Sequence, residues 1–162
     1  MTLPETRPSS YDAAARDGLS TINPVTGLST DYLNHFTEAV MVLEMAAAMP
    51  DCLEDLRGWR PKTYREHFET SRFSNRDAFI AAYEAADPAV RQALEQVAET
   101  LNAVLQETRE ALFNHAAGPD MPALARRAAS WIRPLIVRAA AVINGRDDFG
   151  GSQAKVDALL AQ

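Results

Sequence analysis

The chain has 162 residues, which is enough for one domain with a single hydrophobic core and terminal tails. Its formal net charge of −6 disfavours non-specific nucleic-acid binding, because such binding depends on lysine and arginine neutralising phosphates. A single cysteine, Cys52, excludes an internal disulfide framework and a cysteine-rich zinc site, as expected of a protein kept in a reducing cytoplasm.

Targeting and membrane segments are not predicted. Residues 1–8 lack a basic region followed by an apolar run, so no secretory signal is expected. The longest apolar stretch, 39–49, is interrupted by Glu44 and is too short to span a bilayer. We therefore expect a cytoplasmic protein with no membrane partner and no nucleic-acid partner.

The N-terminal segment, residues 1–28, is predicted to be largely disordered, because it mixes proline, serine, threonine and glycine without a sustained period. The first helix is predicted to begin at Ser29 or Thr30, whose hydroxyls can cap exposed N–H groups, with Asp31 at the positive end of the helix dipole. It runs to about Met49. Its core stripe recurs at three- and four-residue steps and consists of Leu33, Phe36, Val40, Leu43 and Ala47.

Three shorter helices are predicted next, over 52–57, 62–70 and 74–86, with glycine and proline separating the first two. The third has a start that resembles a capping box, because Ser74 stands three residues before Asp77. Its predicted apolar face consists of Phe79, Ile80 and Tyr83.

Two long helices complete the prediction. Asp87-Pro88 is a favourable start, and no glycine or proline follows until Gly118, so a helix of nearly thirty residues is expected. Its heptad-like seam over 90–111 predicts a nearly parallel or antiparallel partner helix and offers a surface for a possible homodimer. The second long helix is predicted over 120–144, with a left-handed stop at Gly145. Its inward face is predicted to consist of Trp131, Leu135, Ile136, Ala139 and Ile143.

These elements predict an all-α, up-and-down helical bundle over residues 29–145, in which long antiparallel helices combine with short ones. Residues 146–162 are predicted to form a flexible tether and a short C-terminal helix, with Ser152 as its N-cap. A helix of about ten residues is marginal alone, so it is expected either to dock on its own bundle or to bind a partner. Its apolar stripe consists of Val156, Leu159 and Leu160.

The segment Ser152-Gln153-Ala154-Lys155-Val156-Asp157-Ala158-Leu159-Leu160 resembles the Ser-Gln-x-x-(Ile/Val)-Asp-x-Leu-(Leu/Phe) peptides of chemotaxis and flagellar proteins. Such peptides occur at the C-terminus of the chemotaxis phosphatase CheZ, after a tether, and at the N-terminus of the flagellar switch protein FliM. They bind a response regulator. The resemblance implies that a CheY-like response regulator is engaged by Ser152, Gln153, Val156, Asp157, Leu159 and Leu160. Lys155 departs from the pattern, in which this position is acidic.

A second candidate partner-binding surface lies on the first predicted helix, opposite its core stripe. Polar side chains occupy the first two turns of that side, and methionines, which adapt to irregular partners, continue it. The alternative is a solvated first turn followed by a second buried face. The candidate contact residues are His35, Glu38, Met41 and Met45.

Two acidic–amide pairs are the candidates for catalysis, Asp31 with Asn34 and Glu99 with Asn102. Their spacing is similar to the Glu-x-x-Asn of the CheC and CheX chemotaxis phosphatases. That resemblance implies an amide that orients water for attack on an aspartyl phosphate. Those families are α/β, whereas this chain is predicted to be all-α.

No cofactor and no metal site are predicted, because the histidines and their acidic neighbours would have to converge from distant helices. The leading interpretation is a helical binding or adaptor protein of bacterial signalling or chemotaxis, whose C-terminal peptide engages a CheY-like response regulator. One alternative is a phosphatase that acts on a phosphorylated receiver domain. The other is a structural helical protein with no receiver partner.

Overall fold

The computed structural model of the chain is described over residues 21–114 and 120–146. These residues form α-helices and 3-10 helices, and the β structure among them is limited to one isolated antiparallel bridge between Ile22 and Ser29. The all-α prediction is confirmed. Within the same residues, no helix is both long enough and apolar enough to cross a membrane. Residues 1–20 of the predicted disordered segment and residues 147–162 of the predicted tail lie outside this description.

The helices follow the predicted order along the chain. A first 3-10 helix, Thr30–Leu33, leads directly into α1, and a second 3-10 helix, Pro50–Leu56, follows it. The α-helices are α1 (Asn34–Met45), α2 (Tyr64–Glu69), α3 (Arg76–Ala85), α4 (Pro88–Asn114) and α5 (Met121–Ile143).

The caps explain why several helices begin where they do. Ser29 Oγ accepts from the N–H of Asp31 at 3.2 Å, as predicted for the first helix, and Thr63 Oγ1 accepts from the N–H of Glu66 at 3.2 Å at the start of α2. Asp87 Oδ1 accepts from the N–H of Ala89 at 2.8 Å and starts α4. The N-cap of α3 is Asn75, which lies one residue after the predicted Ser74.

The long helices α4 and α5 make the most extensive contact in the bundle. Their buried side chains belong to one core, in which Leu94 and Leu101 of α4 and Ile132 of α5 are at most 1% exposed. Burying a side chain of this size stabilises the fold by about 2 kcal/mol. Much of the seam over 90–111 is therefore buried within the chain's own bundle, although Val90, Val104 and Ala111 remain partly exposed.

Helix α1 packs on α5 in the antiparallel direction. At one end, Thr26 lies in the turn that precedes the first 3-10 helix, and its Oγ1 donates to the carbonyl of Ile143 at 2.5 Å. At the other end, the Glu44 carboxylate accepts from Nε and from Nη2 of Arg133, both at 2.8 Å. The first contact also satisfies one of the carbonyls that the last turn of α5 leaves without an intrahelical partner.

Residues 21–28, which we predicted to be disordered, form a defined turn. Asn23 Oδ1 accepts from the N–H groups of Val25 and Thr26 at 2.8 and 3.0 Å, which is the local bonding of an Asx turn. Leu28 is fully buried in the core. The prediction was wrong here because this order depends on contacts with helices more than fifty residues away, which a local composition cannot reveal.

Two predicted core positions are also wrong. Ala47 is exposed and Ala46 is buried instead, because α1 ends at Met45 and the following tight turn, in which Ala48 N–H donates to the Met45 carbonyl, breaks the helical period. Trp131 is 64% exposed, whereas the next residue, Ile132, is fully buried. The buried stripe of α5 advances by three- and four-residue steps that pass over position 131, through Ala125, Ala128, Ala129, Ile132, Ile136, Ala139 and Ile143.

Two glycines with positive φ offer a matched test of how closely α3 packs against the N-terminal turn. Gly27 (φ 73°) and Gly145 (φ 68°) both occupy the left-handed region, but a Cβ on Gly27 would lie 3.1 Å from the backbone oxygen of Ala82, whereas one on Gly145 would meet only the Thr26 methyl group at 3.5 Å. We expect Gly145→Ala to lower the free energy of unfolding by about 1 kcal/mol and Gly27→Ala by about 2 kcal/mol or more, measured by urea denaturation. Equal losses would contradict the close approach of α3 to Gly27.

Candidate functional site

The six tail residues of the predicted receiver-binding peptide, Ser152, Gln153, Val156, Asp157, Leu159 and Leu160, all lie outside the described residues. The described residues do place every other candidate. Among them, Glu38, Met41 and Met45 are exposed on α1, Asn102 forms hydrogen bonds from α4 to Lys62, and His35 is half-buried.

The first acidic–amide pair is divided between two environments. The carboxylate of Asp31 accepts from the hydroxyl groups of Thr21 and Ser29 at 2.5 and 3.3 Å, so it fastens the N-terminal turn to the first 3-10 helix. The Asn34 side chain is exposed and makes no hydrogen bond within residues 21–114 and 120–146. The Asp31 carboxylate is therefore used in structural hydrogen bonds, and the Asn34 side chain is exposed to solvent.

The second pair is divided as well, because Asn102 is used as a clamp. Its Oδ1 accepts from the backbone N–H of Lys62 at 3.2 Å, and its Nδ2 donates to the Lys62 carbonyl at 3.0 Å. The Tyr32 hydroxyl donates to the same carbonyl at 2.7 Å. These bonds hold the loop before α2 against α4. Glu99, one turn earlier on α4, is exposed and has no ion-pair partner among the described residues.

His35 is only partly exposed, whereas we predicted a surface contact residue. Its ring stacks on Trp59 with centroids 4.8 Å apart and planes at 17°, and Trp59 Nε1 donates to the His35 carbonyl at 3.1 Å. The buried Nε2 of His35 has no hydrogen-bond partner. Burial, followed by the nearby His67, lowers the pKa of His35 from 6.5 to about 4, so the ring is neutral at pH 7. Periodicity placed His35 beside Glu38, but the Trp59 loop folds back over it.

The other three candidates on this helix, Glu38, Met41 and Met45, are exposed. Met41 is 49% exposed and Met45 42%, and on α5 Val137 is 68% exposed. Met41 lies one turn before Glu44 and Val137 one turn after Arg133. The two helices are antiparallel and joined by the Glu44–Arg133 ion pair, so a step back along α1 and a step forward along α5 lead in the same direction. Met41 and Val137 therefore lie on the same side of that ion pair. We call Met41, Met45 and Val137 together the methionine surface. Val137 was missed because its place depends on how α5 packs.

A groove lies between α4 and the α2–α3 pair. It has a volume of about 510 Å³, within the range of small-molecule sites. It is lined by Tyr32, Thr63, Tyr64, Arg65, Tyr83, Leu94, Glu95, Ala98, Glu99 and Asn102. The sequence did not predict it, because its three tyrosines come from three separate elements. The one local signal is the four-residue spacing of Glu95 and Glu99.

The tyrosine walls are held in place by ring packing and hydrogen bonds. Tyr64 and Tyr83 stack with centroids 4.5 Å apart and planes at 16°, and Tyr32 meets Tyr64 edge-on at 5.2 Å. The hydroxyl of Tyr64 accepts from the N–H of Ser29 at 2.9 Å, and that of Tyr83 donates to Glu95. Burial raises the pKa of each of the three phenols, so all remain neutral.

No group of three or more histidine, cysteine, aspartate or glutamate side chains arranged to hold a metal ion exists in the described part of the chain. Comparison with protein families, curated proteins and solved structures finds no match to this chain.

Proposed function

We propose that this protein is a cytoplasmic helical binding or adaptor protein of bacterial signalling or chemotaxis, and that residues 152–160 engage a CheY-like response regulator. The observation that carries the proposal is the match of Ser152, Gln153, Val156, Asp157, Leu159 and Leu160 to the receiver-binding pattern. Three apolar anchors at helical spacing, with one acidic residue between them, suit a short helix that lies in a groove of its partner.

The geometry of the bundle supports binding over catalysis. Asn102 uses both ends of its amide on the backbone of Lys62, and Asp31 is occupied by two hydroxyl groups. Neither acidic–amide pair therefore presents a carboxylate and a free amide together, which is the arrangement that a phosphatase of that kind requires. The methionine surface adds an exposed apolar area that a partner can cover.

The test is receiver binding by the full chain and by a Leu159→Ala/Leu160→Ala variant. Purified CheY-like receiver domains from the same genome are titrated with and without beryllofluoride, which mimics the phosphoryl group, and binding is measured by isothermal titration calorimetry. Each leucine anchor contributes on the order of 1–3 kcal/mol when buried, so the double substitution is expected to weaken binding at least about 30-fold. Ala158→Ser, at a variable position on the opposite side of the predicted helix, is the matched control and leaves affinity unchanged.

A melting temperature shared by all three proteins is part of the expected result. If the double substitution lowers it by several degrees, the tail is a structural helix of the bundle and the proposal is wrong. Failure of the unaltered chain to bind any receiver contradicts the proposal directly. Acceleration of phosphate release from a phosphorylated receiver, lost in Asn34→Ala, would replace binding with the phosphatase function.

A further inference from the structure

The groove between α4 and the α2–α3 pair combines an apolar floor with an aromatic wall. Leu94 and Ala98 of α4, which are 1% and 5% exposed, form the floor. Beside it stands the partly exposed ring of Tyr83, which stacks on the buried ring of Tyr64. Because the faces of aromatic rings carry partial negative charge, such a wall favours a cation with an apolar body over an anion.

The rim of the groove adds two carboxylates on one side. Glu95 and Glu99 are four residues apart on α4, so they lie about 6 Å apart along the same helix face. Glu99 has no partner within residues 21–114 and 120–146, and Glu95 accepts only the neutral hydroxyl of Tyr83. Neither carboxylate forms a salt bridge among the described residues.

Two basic groups lie near the groove. Arg65, the one cation that lines it, is paired with Glu69 at 2.7 Å and with Glu84 at 2.5 Å. The Arg91 guanidinium lies over the Tyr83 ring, 5.8 Å from its centroid, and Arg91 stands one turn before Glu95 on α4, so it offsets one of the two carboxylate charges. The rim therefore keeps one uncompensated negative charge beside an apolar and aromatic cavity.

We propose that this groove is a binding site for a small organic cation, an amine or guanidinium carried on an apolar or aromatic body, with Glu95 and Glu99 holding the charge and Tyr83 covering the body. The groove volume of about 510 Å³ suits a free small molecule better than a folded partner. This site lies on the bundle itself and is independent of the proposed tail–receiver interaction.

The test uses the full chain and two probes that differ only in charge, 2-phenylethylamine and its neutral counterpart 2-phenylethanol. Binding is followed by titration in ¹H–¹⁵N correlation spectra. We expect the amine to shift the resonances of lining residues and to bind at least tenfold more tightly than the alcohol. Glu99→Gln is expected to weaken amine binding about fivefold or more, because it removes one of the two charges.

The matched control is Glu107→Gln, which makes the same change of charge on α4 at a position that does not line the groove. It is expected to leave amine affinity within twofold. Equal affinity for amine and alcohol, or equal losses in the two variants, would overturn the proposal. Tighter binding of a short lysine-containing peptide than of the amine, by tenfold or more, would show that the occupant is a protein side chain and that the small-molecule assignment is wrong.

Discussion

Replacement of Asn102 by alanine is expected to lower the free energy of unfolding by about 2–3 kcal/mol. The substitution removes both hydrogen bonds to Lys62 and leaves its backbone N–H without a partner in a partly buried setting, and an orphaned donor of this kind costs roughly 1–3 kcal/mol. The Lys62 carbonyl keeps the Tyr32 hydroxyl, so its share of the loss is smaller. Urea denaturation followed by far-ultraviolet circular dichroism measures the difference.

The same variant should loosen the loop that carries Trp59, because Lys62 anchors that loop to α4. A red shift of tryptophan emission before the main unfolding transition would report this change. Glu107→Gln, an exposed substitution on the same helix, is the control and should stay within about 0.5 kcal/mol of the unaltered chain. A loss of less than 0.5 kcal/mol for Asn102→Ala would show that the amide is not a clamp.

Acidification is expected to destabilise the bundle through His35. The folded state holds the pKa of His35 at about 4, whereas the unfolded chain titrates at the ordinary value of 6.5. Between these values the unfolded state binds more protons, so the free energy of unfolding falls as the pH is lowered from about 6.5 to 4. The full shift would give about 3 kcal/mol, and we expect about 2 kcal/mol because the ring is only partly buried. His67, whose pKa is also lowered by burial, acts in the same direction.

His35→Gln isolates the contribution of this ring, because glutamine cannot take up a proton in this range. Stability is measured by urea denaturation at half-unit steps from pH 4 to pH 8. The difference between the unaltered chain and the variant should be constant above pH 7 and should shrink below pH 6.5, since only the unaltered chain loses stability through His35. A difference that does not depend on pH would mean that His35 titrates normally in the folded protein.

Helix existence and order could be predicted from the sequence because they depend on local signals. Asp87-Pro88, the α4 seam and the Gly145 stop lie within a few residues of the structure they specify. Side-chain burial is less local. Trp131 and Ile132 are adjacent apolar residues, and which of them is buried depends on which side of α5 packs against α1 and α4.

The candidate site residues likewise divide into those whose exposure follows from local spacing and those whose burial depends on distant contacts. Exposure of Glu38, Met41 and Met45 follows from helical spacing, and the structure agrees. Burial of His35 depends on Trp59, twenty-four residues later, and the clamp role of Asn102 depends on Lys62, forty residues earlier. The tyrosine groove could not be predicted, because it exists only when the 3-10 helix, α2, α3 and α4 have been brought together.

The bond between Thr26 and the Ile143 carbonyl means that the chain enters and leaves its bundle at the same pole. Residues 1–20 and 147–162 are therefore both joined to the described bundle at that one end, whereas the methionine surface lies on the flank formed by α1 and α5.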